Sequence, residues 1–282
     1  MTNTFMTESK ITNYLTIDVE DYYQVSAFEG VIDPNSWPKF ESRVERNIQV
    51  ILDLLQKRNI KATFFIVGWI AENYPQMVKK IYKQGHEIGC HSYWHRKVYD
   101  LKPESFREDT YRAKHTLEDI IGAPIKGYRA PSYSITKKSL WALDILAKLG
   151  FLYDSSIFPT YHDNYGIPDA PRFAYKLEAQ QMVEFPISTT RLLGRNLPIS
   201  GGGYFRLFPY ALTRKALRQI NDKEKKPFIF YLHPWEIDPD QPRVKNASRL
   251  SKFRHYVNLH TTQEKFSRLL NDFQFSPIAN IK

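Results

Sequence analysis

Short apolar runs of strand length alternate with amphipathic helical segments along most of this chain, and that alternation leaves few folds open. Residues 14–19 read as a strand, after which Val44, Ile48, Ile51, Leu52 and Leu55 fall on one helical face. Residues 62–67 predict a buried strand and residues 77–82 a helix that Gly85 closes, before residues 86–90 extend the chain again. The pattern continues with a helix near 104–120, a strand near 127–130 and a helix over 138–149 ended by Gly150. Strands follow at 151–154, 182–187 and 228–232, and a last helix at 263–273; the proline-containing stretch 159–171 is an insertion. Repeated strand–helix units predict a parallel sheet, and their number favours closure into an α/β barrel, for which 282 residues is a common length.

In such a barrel, functional side chains sit at the C-terminal ends of strands. Five polar clusters occupy those places here: Asp18-Val19-Glu20-Asp21, His91 with His95, Arg129, Asp154, and His233. Two imidazoles four residues apart can meet one divalent metal if the backbone coils through a turn, and one carboxylate would complete a site with open positions for water and substrate. Asp18 and Glu20 share a strand face, so one could bind metal while the other takes a proton. Asp21, at the strand's exit, is a rival ligand. The stretch from His86 to His91 is not a zinc-protease helix, because its second His comes one residue too late and Gly89 favours strand and loop. Arg129, beside the rigid Pro131, could orient and ionise a carboxylate base, and a free backbone N–H near Ser132 or Tyr133 could stabilise an oxyanion. His233 is suited to protonating a leaving amine near neutral pH. Gly201-Gly202-Gly203 lacks the Gly-Lys-Ser/Thr of a phosphate loop, leaving a close backbone approach or a flexible turn. Trp94, Tyr133, Tyr204 and Trp235 offer faces on which sugar rings could stack.

Composition narrows the class. Hydrophobic content of 42% with 25% charged residues fits a soluble globular protein. The single cysteine, Cys90, excludes an intrachain disulfide and reads as a packed strand residue. Residues 1–12 are polar, without a signal-peptide core, so a cytoplasmic location is expected; the apolar run 64–71 is too short to span a bilayer. The net charge of +10 is scattered, and its one dense run (Lys223, Lys225, Lys226) contains Glu224, so no nucleic-acid partner is expected.

Taken together, these motifs resemble those of the polysaccharide deacetylase family, metal-dependent carbohydrate esterases that share a chitooligosaccharide-deacetylase homology domain. Thr16-Ile17-Asp18-Val19-Glu20-Asp21 stands where the family has Thr-Phe-Asp-Asp-Gly, and His91-Ser92-Tyr93-Trp94-His95 meets its His-Ser/Thr-x-x-His motif in full. Arg129-Ala130-Pro131-Ser132-Tyr133 is similar to Arg-x-Pro-Tyr with one extra residue, and Leu232-His233 to the late Leu-His pair. Residues 18–22, 201–206, 233–236 and 254–259 further resemble signatures of the subgroup found in exopolysaccharide loci associated with exosortase protein sorting.

The resemblance, over about residues 12–275, implies a distorted seven-stranded (β/α) barrel. It implies one catalytic domain over 1–282, with subgroup-specific insertions from about residue 155. Carried over, Asp18 is the general base, and His91 and His95 are metal ligands with Glu20, or Asp21 in its place. His233 is the general acid, Arg129 and Asp154 tune Asp18 and orient a histidine, and Tyr133, Tyr204 and Trp235 serve substrate or oxyanion. One divalent ion is implied, zinc foremost, with cobalt or nickel as alternatives. The implied reaction is N-deacetylation of an acetylated amino sugar in an exopolysaccharide or its lipid-linked precursor. The expected partners are the acetylated oligo- or polysaccharide and, peripherally, exopolysaccharide assembly machinery. A small amide or ureide hydrolase on the same barrel and a non-catalytic carbohydrate-binding protein are the rival readings.

Overall fold

A computed structural model describes residues 11–162 and 165–278. Its central strand, β1 (Thr12–Val19), buries Leu15, Ile17 and Val19 on one face and Thr16 and Asp18 on the other. Burial on both faces is the mark of a parallel sheet covered by helices. α1 (Val44–Gln56) follows; the five apolar residues of its predicted stripe are all buried, while Glu45, Arg46 and Asp53 are exposed. β2 (Thr63–Ile66) leads through α2 (Gly68–Asn73) and α3 (Pro75–Lys83) to β3 (Glu87–Cys90). Then come α4 (Pro103–Ile121), β4 (Gly127–Tyr128), α5 (Trp141–Lys148) and β5 (Tyr153–Asp154). β6 (Tyr175–Leu177) and β7 (Met182–Glu184) form a hairpin, as do β8 (Thr189–Leu192) and β9 (Arg195–Pro198). The chain finishes with α6 (Gly202–Leu207), α7 (Tyr210–Arg218), β10 (Ile229–Leu232), α8 (Arg249–Tyr256), α9 (Leu259–Asp272) and β11 (Gln274–Ser276).

Seven parallel strands run in the order β10-β1-β2-β3-β4-β5-β7, with β6 antiparallel at the far edge and β11 beside the start of β1. No ladder joins β7 to β10 among the described residues; the connecting chain fills that gap. Ile229 N–H donates to Ser188 Oγ at 2.8 Å and Tyr231 N–H to the Ser200 carbonyl at 2.9 Å. The result is the distorted (β/α)7 barrel expected from the sequence. Gly201 makes the closure feasible: at φ 147°, a Cβ there would lie 2.1 Å from the Tyr231 carbonyl oxygen. The glycine run thus serves a close approach, to this chain's own backbone.

Several elements lie outside the segments predicted from the sequence, among them the β8–β9 hairpin, β11 and the helices α6 to α8. The last helix begins four residues earlier than expected, at Leu259. Cys90 is fully buried, and burial pushes its thiol pKa up, as suits a packed residue. No helix of the described residues is long and apolar enough to cross a membrane.

Candidate active site

The C-terminal ends of β1, β3, β4 and β10 open onto one cavity of about 450 Å³, lined by Asp18, Glu20, His91, His95, Tyr133 and His233 among others. At its floor, potential ligand atoms of Glu20, His91 and His95 all lie within 4.8 Å of one another. His95 Nε2 is 2.7 Å from Glu20 Oε2. His91 Nδ1 donates to the Arg129 carbonyl at 2.7 Å, which fixes the tautomer and leaves Nε2 as the free donor atom. Burial lowers the His91 pKa to about 4, so its ring is neutral, as a metal ligand must be. Burial alone would raise Glu20, but His95 and His233 hold it well below the usual carboxylate range. A neutral imidazole, a second buried imidazole and an ionised carboxylate converge here and fit one divalent metal.

Local backbone explains how β3 delivers both histidines. Ser92 and His95 are left-handed, at φ 58° and 53°, which turns the chain back on itself between the two rings. Asp109 on α4 holds that turn, accepting from Tyr93 N–H at 2.7 Å and Trp94 N–H at 3.0 Å.

Asp21 is turned away from this cluster. Its carboxylate accepts from Tyr22 N–H at 2.9 Å, Ser42 Oγ at 2.7 Å, Arg43 N–H at 2.9 Å and Val44 N–H at 3.2 Å. It therefore satisfies orphan donors at the start of α1, a capping task performed from another element.

Asp18 sits beside the cluster and is held by Arg129, whose Nη1 donates to Oδ1 at 2.6 Å. The fully buried guanidinium also donates to Thr16 Oγ1, the Ser155 carbonyl and Ser155 Oγ, at 2.7, 3.0 and 2.7 Å. The other carboxylate oxygen, Oδ2, faces the cavity, 3.3 Å from the Tyr133 hydroxyl and 4.0 Å from His233 Nε2. Ser132 and Tyr133 are consecutive left-handed residues, at φ 52° and 53°. The Tyr133 N–H, expected to be free for an oxyanion, instead donates to the Ala130 carbonyl at 3.1 Å.

His233 presents Nε2 to the cavity, 3.5 Å from Glu20 Oε1. Burial would lower its pKa, yet the charges of Glu20 and Glu236 raise it to about 9. Trp235 does not play the part expected of it. Its ring is stacked between His233 and His255, at centroid distances of 5.3 and 4.1 Å, so neither face is open to a sugar. Its indole Nε1 donates to Glu20 Oε1 at 3.0 Å and orients that carboxylate. Tyr204 is half-buried and lines the cavity.

Asp154 also departs from expectation: it contacts neither Asp18 nor a histidine. It accepts from Ser156 Oγ at 2.5 Å and pairs in register with Glu184, both side chains fully buried. Burial pushes both carboxyls up, and the charge of Asp154 raises Glu184 further, so the pair retains a proton. A proton held more tightly in the folded state adds stability at acidic pH, and that contribution is lost as the pH rises through the raised folded pKa. Glu184→Gln, which supplies a permanent N–H in place of the shared proton, is expected to raise Tm more at about pH 8 than at about pH 5. An equal change at both pH values would count against a shared proton.

Comparison with known proteins divides the chain between two family models. Residues 34–153 match the polysaccharide deacetylase family model, and residues 155–282 match a domain of unknown function, DUF3473. The chain thus carries, over residues 34–153, a segment similar to the polysaccharide deacetylase family. A peptidoglycan-N-acetylglucosamine deacetylase of Bacillus cereus is 36% identical over 95 residues, 33% of this chain and 34% of that protein. A peptidoglycan deacetylase of Helicobacter pylori is 27% identical over 144 residues, 50% of this chain and 48% of that protein. This chain thus spans between a third and a half of the length of these curated relatives. The crystal structure of a polysaccharide deacetylase candidate from Mycobacterium smegmatis shares the fold, with TM-score 0.59 and 18% identity over 95% of this chain and 89% of that one.

Asp18 and Glu20 precede the residues matched by the family model, and His233 lies within the domain of unknown function. Only the barrel geometry joins them to His91 and His95. Sequence reasoning assigned no role to Asp109, Ser155, Arg206 or Glu236; the His-x-x-Glu spacing of 233–236 is the one signal that could have flagged a pair.

Proposed function

We propose that this chain hydrolyses N-acetyl groups from acetylated amino sugars of a polysaccharide, with an exopolysaccharide or its lipid-linked precursor as the substrate. The observation that carries this reading is the meeting, in one cavity, of an Arg129-paired Asp18, the Glu20–His91–His95 cluster and His233. The names of the Bacillus and Helicobacter relatives support the acetylated hexosamine. A neighbouring cavity of about 200 Å³, lined by Tyr23, Trp37 and Trp94, shares His95 with the first and extends the site beyond what a ureide fills. That extension favours a polymer.

Glu20, His91 and His95 would hold the divalent metal, which when bound supplies Lewis-acid polarisation of the acetyl carbonyl. The remaining chemistry belongs to the chain. Arg129 holds Asp18 through Oδ1 and leaves Oδ2 facing the cavity, where it takes a proton from the attacking water. His233, charged through its acidic neighbours, delivers a proton from Nε2 to the departing amine. Asp18 Oδ2 and His233 Nε2 lie 4.0 Å apart and both border the cavity, so a base and an acid can reach the same acetamide.

Acetate release from acetylated hexosamine oligomers, measured with and without chelator, tests the proposal. Chelator-sensitive release is expected, together with loss of acetate from the cell's exopolysaccharide. Unchanged exopolysaccharide acetylation together with fast hydrolysis of a ureide would overturn it.

A further inference from the structure

Behind His233 lies a buried hydrogen-bonded network that, among the described residues, makes no hydrogen bond to the reacting groups other than His233 itself. His233 Nδ1 donates to Glu236 Oε2 at 3.1 Å, and the His233 backbone N–H donates to the same oxygen at 3.0 Å. One carboxylate oxygen therefore fixes both the ring and the main chain that carries it. The other oxygen, Oε1, accepts from Arg206 Nε at 2.8 Å; Glu236 is fully buried and Arg206 nearly so. The remaining guanidinium nitrogens run to main-chain carbonyls where α8 ends: Nη2 to Arg254 at 2.9 Å, and Nη1 to His255 at 2.5 Å and Val257 at 3.3 Å. Those carbonyls have no partner within the helix and attract a cation.

Three of the four segments that resemble the subgroup's signatures, 201–206, 233–236 and 254–259, converge on this ion pair. We propose that Glu236 is the positioning residue of His233, and that Arg206, anchored on the end of α8, is the clamp that fixes Glu236. The domain of unknown function in this chain would then build and hold the general acid. The physical reason is geometric. A hydrogen bond at Nδ1 dictates that Nε2 faces the substrate, and an imidazole free to rotate about its side-chain torsions loses the aligned proton. Arg206 gives the buried carboxylate a charge-assisted partner, without which it could not stay ionised behind the ring.

This inference rests on the deacetylase reading, and its test separates the two. Glu236→Gln keeps the shape and is expected to lower kcat on an acetylated hexosamine by about 10²-fold, with KM and metal content unchanged. An aryl acetate, whose phenolate leaves without a proton, should fall only a few fold. In a His233→Ala background the Glu236→Gln substitution should do nothing further. Equal losses on amide and ester, or additive losses in the double variant, would overturn positioning in favour of a purely structural role. Should the parent protein hydrolyse neither substrate, the deacetylase reading fails, and NMR then decides this inference alone. The His233 Nδ1 proton, assigned by its loss in His233→Ala, must shift in Glu236→Gln, and an unmoved signal overturns the proposal. Arg206→Lys, which keeps charge but loses the fork, provides a second variant with the same expected split between amide and ester.

Discussion

Replacing both His91 and His95 with alanine is expected to abolish retention of a divalent metal and acetate release together. Both rings are buried, and the carboxylate between them, Glu20, is left with Trp235 and His233 as its polar neighbours. One carboxylate cannot by itself hold a metal of the borderline-soft kind that imidazole favours. Each truncated imidazole costs on the order of 1–3 kcal/mol of stability, so circular dichroism and a melting curve must accompany the metal analysis. Full stoichiometric metal in the folded double variant would contradict the assignment. The neighbouring carboxylates should separate cleanly in the same assay. Glu20→Gln is expected to weaken metal binding at nearly unchanged Tm. Asp21→Asn is expected to lower Tm with metal retained, because Asp21 serves the main chain at the start of α1. The opposite pattern would make Asp21 the ligand.

Asp18→Asn is expected to keep the metal and lose turnover by roughly 10²–10⁴-fold, the usual range for a lost general base. The amide matches the carboxylate in shape but cannot accept the water's proton. It also removes the charge opposite Arg129, which is fully buried. Breaking a buried pair from one side costs about 3–5 kcal/mol where nothing compensates. Here the cost should fall below that, because the guanidinium keeps its bonds to Thr16 and Ser155, and an Asn oxygen can still accept from Nη1. Single-turnover acetate release alongside metal content and Tm checks both halves. Turnover close to that of the parent would remove Asp18 from the reaction.

Much of the architecture was legible because its signals are local. Period-two alternation put Asp18 and Glu20 on one face, and the stripe from Val44 to Leu55 marked the buried side of α1. The four-residue spacing of His91 and His95 marked a turn that could bring both rings to one ion. Each depends on backbone geometry over a few residues, which is a property a sequence carries by itself. The same holds for the strand-end positions of Arg129 and His233.

What the sequence left open was decided by contacts between residues far apart in the chain. Glu20 and Asp21 are adjacent and chemically alike; the arrival of residues 42–44 beside Asp21 is what separates them, since those free N–H groups claim its oxygens. Trp235 reads as a sugar platform until His255, twenty residues on, covers one face and His233 the other. Asp154 stands at a strand end like Asp18, yet strand register brings Glu184 against it and keeps it from the cavity. Arg206 and Glu236 meet across thirty residues and a change of element. Short-range pattern determines which residues can reach a strand end; which partner awaits a buried charge there depends on packing, because only the folded chain removes the water that would otherwise satisfy it.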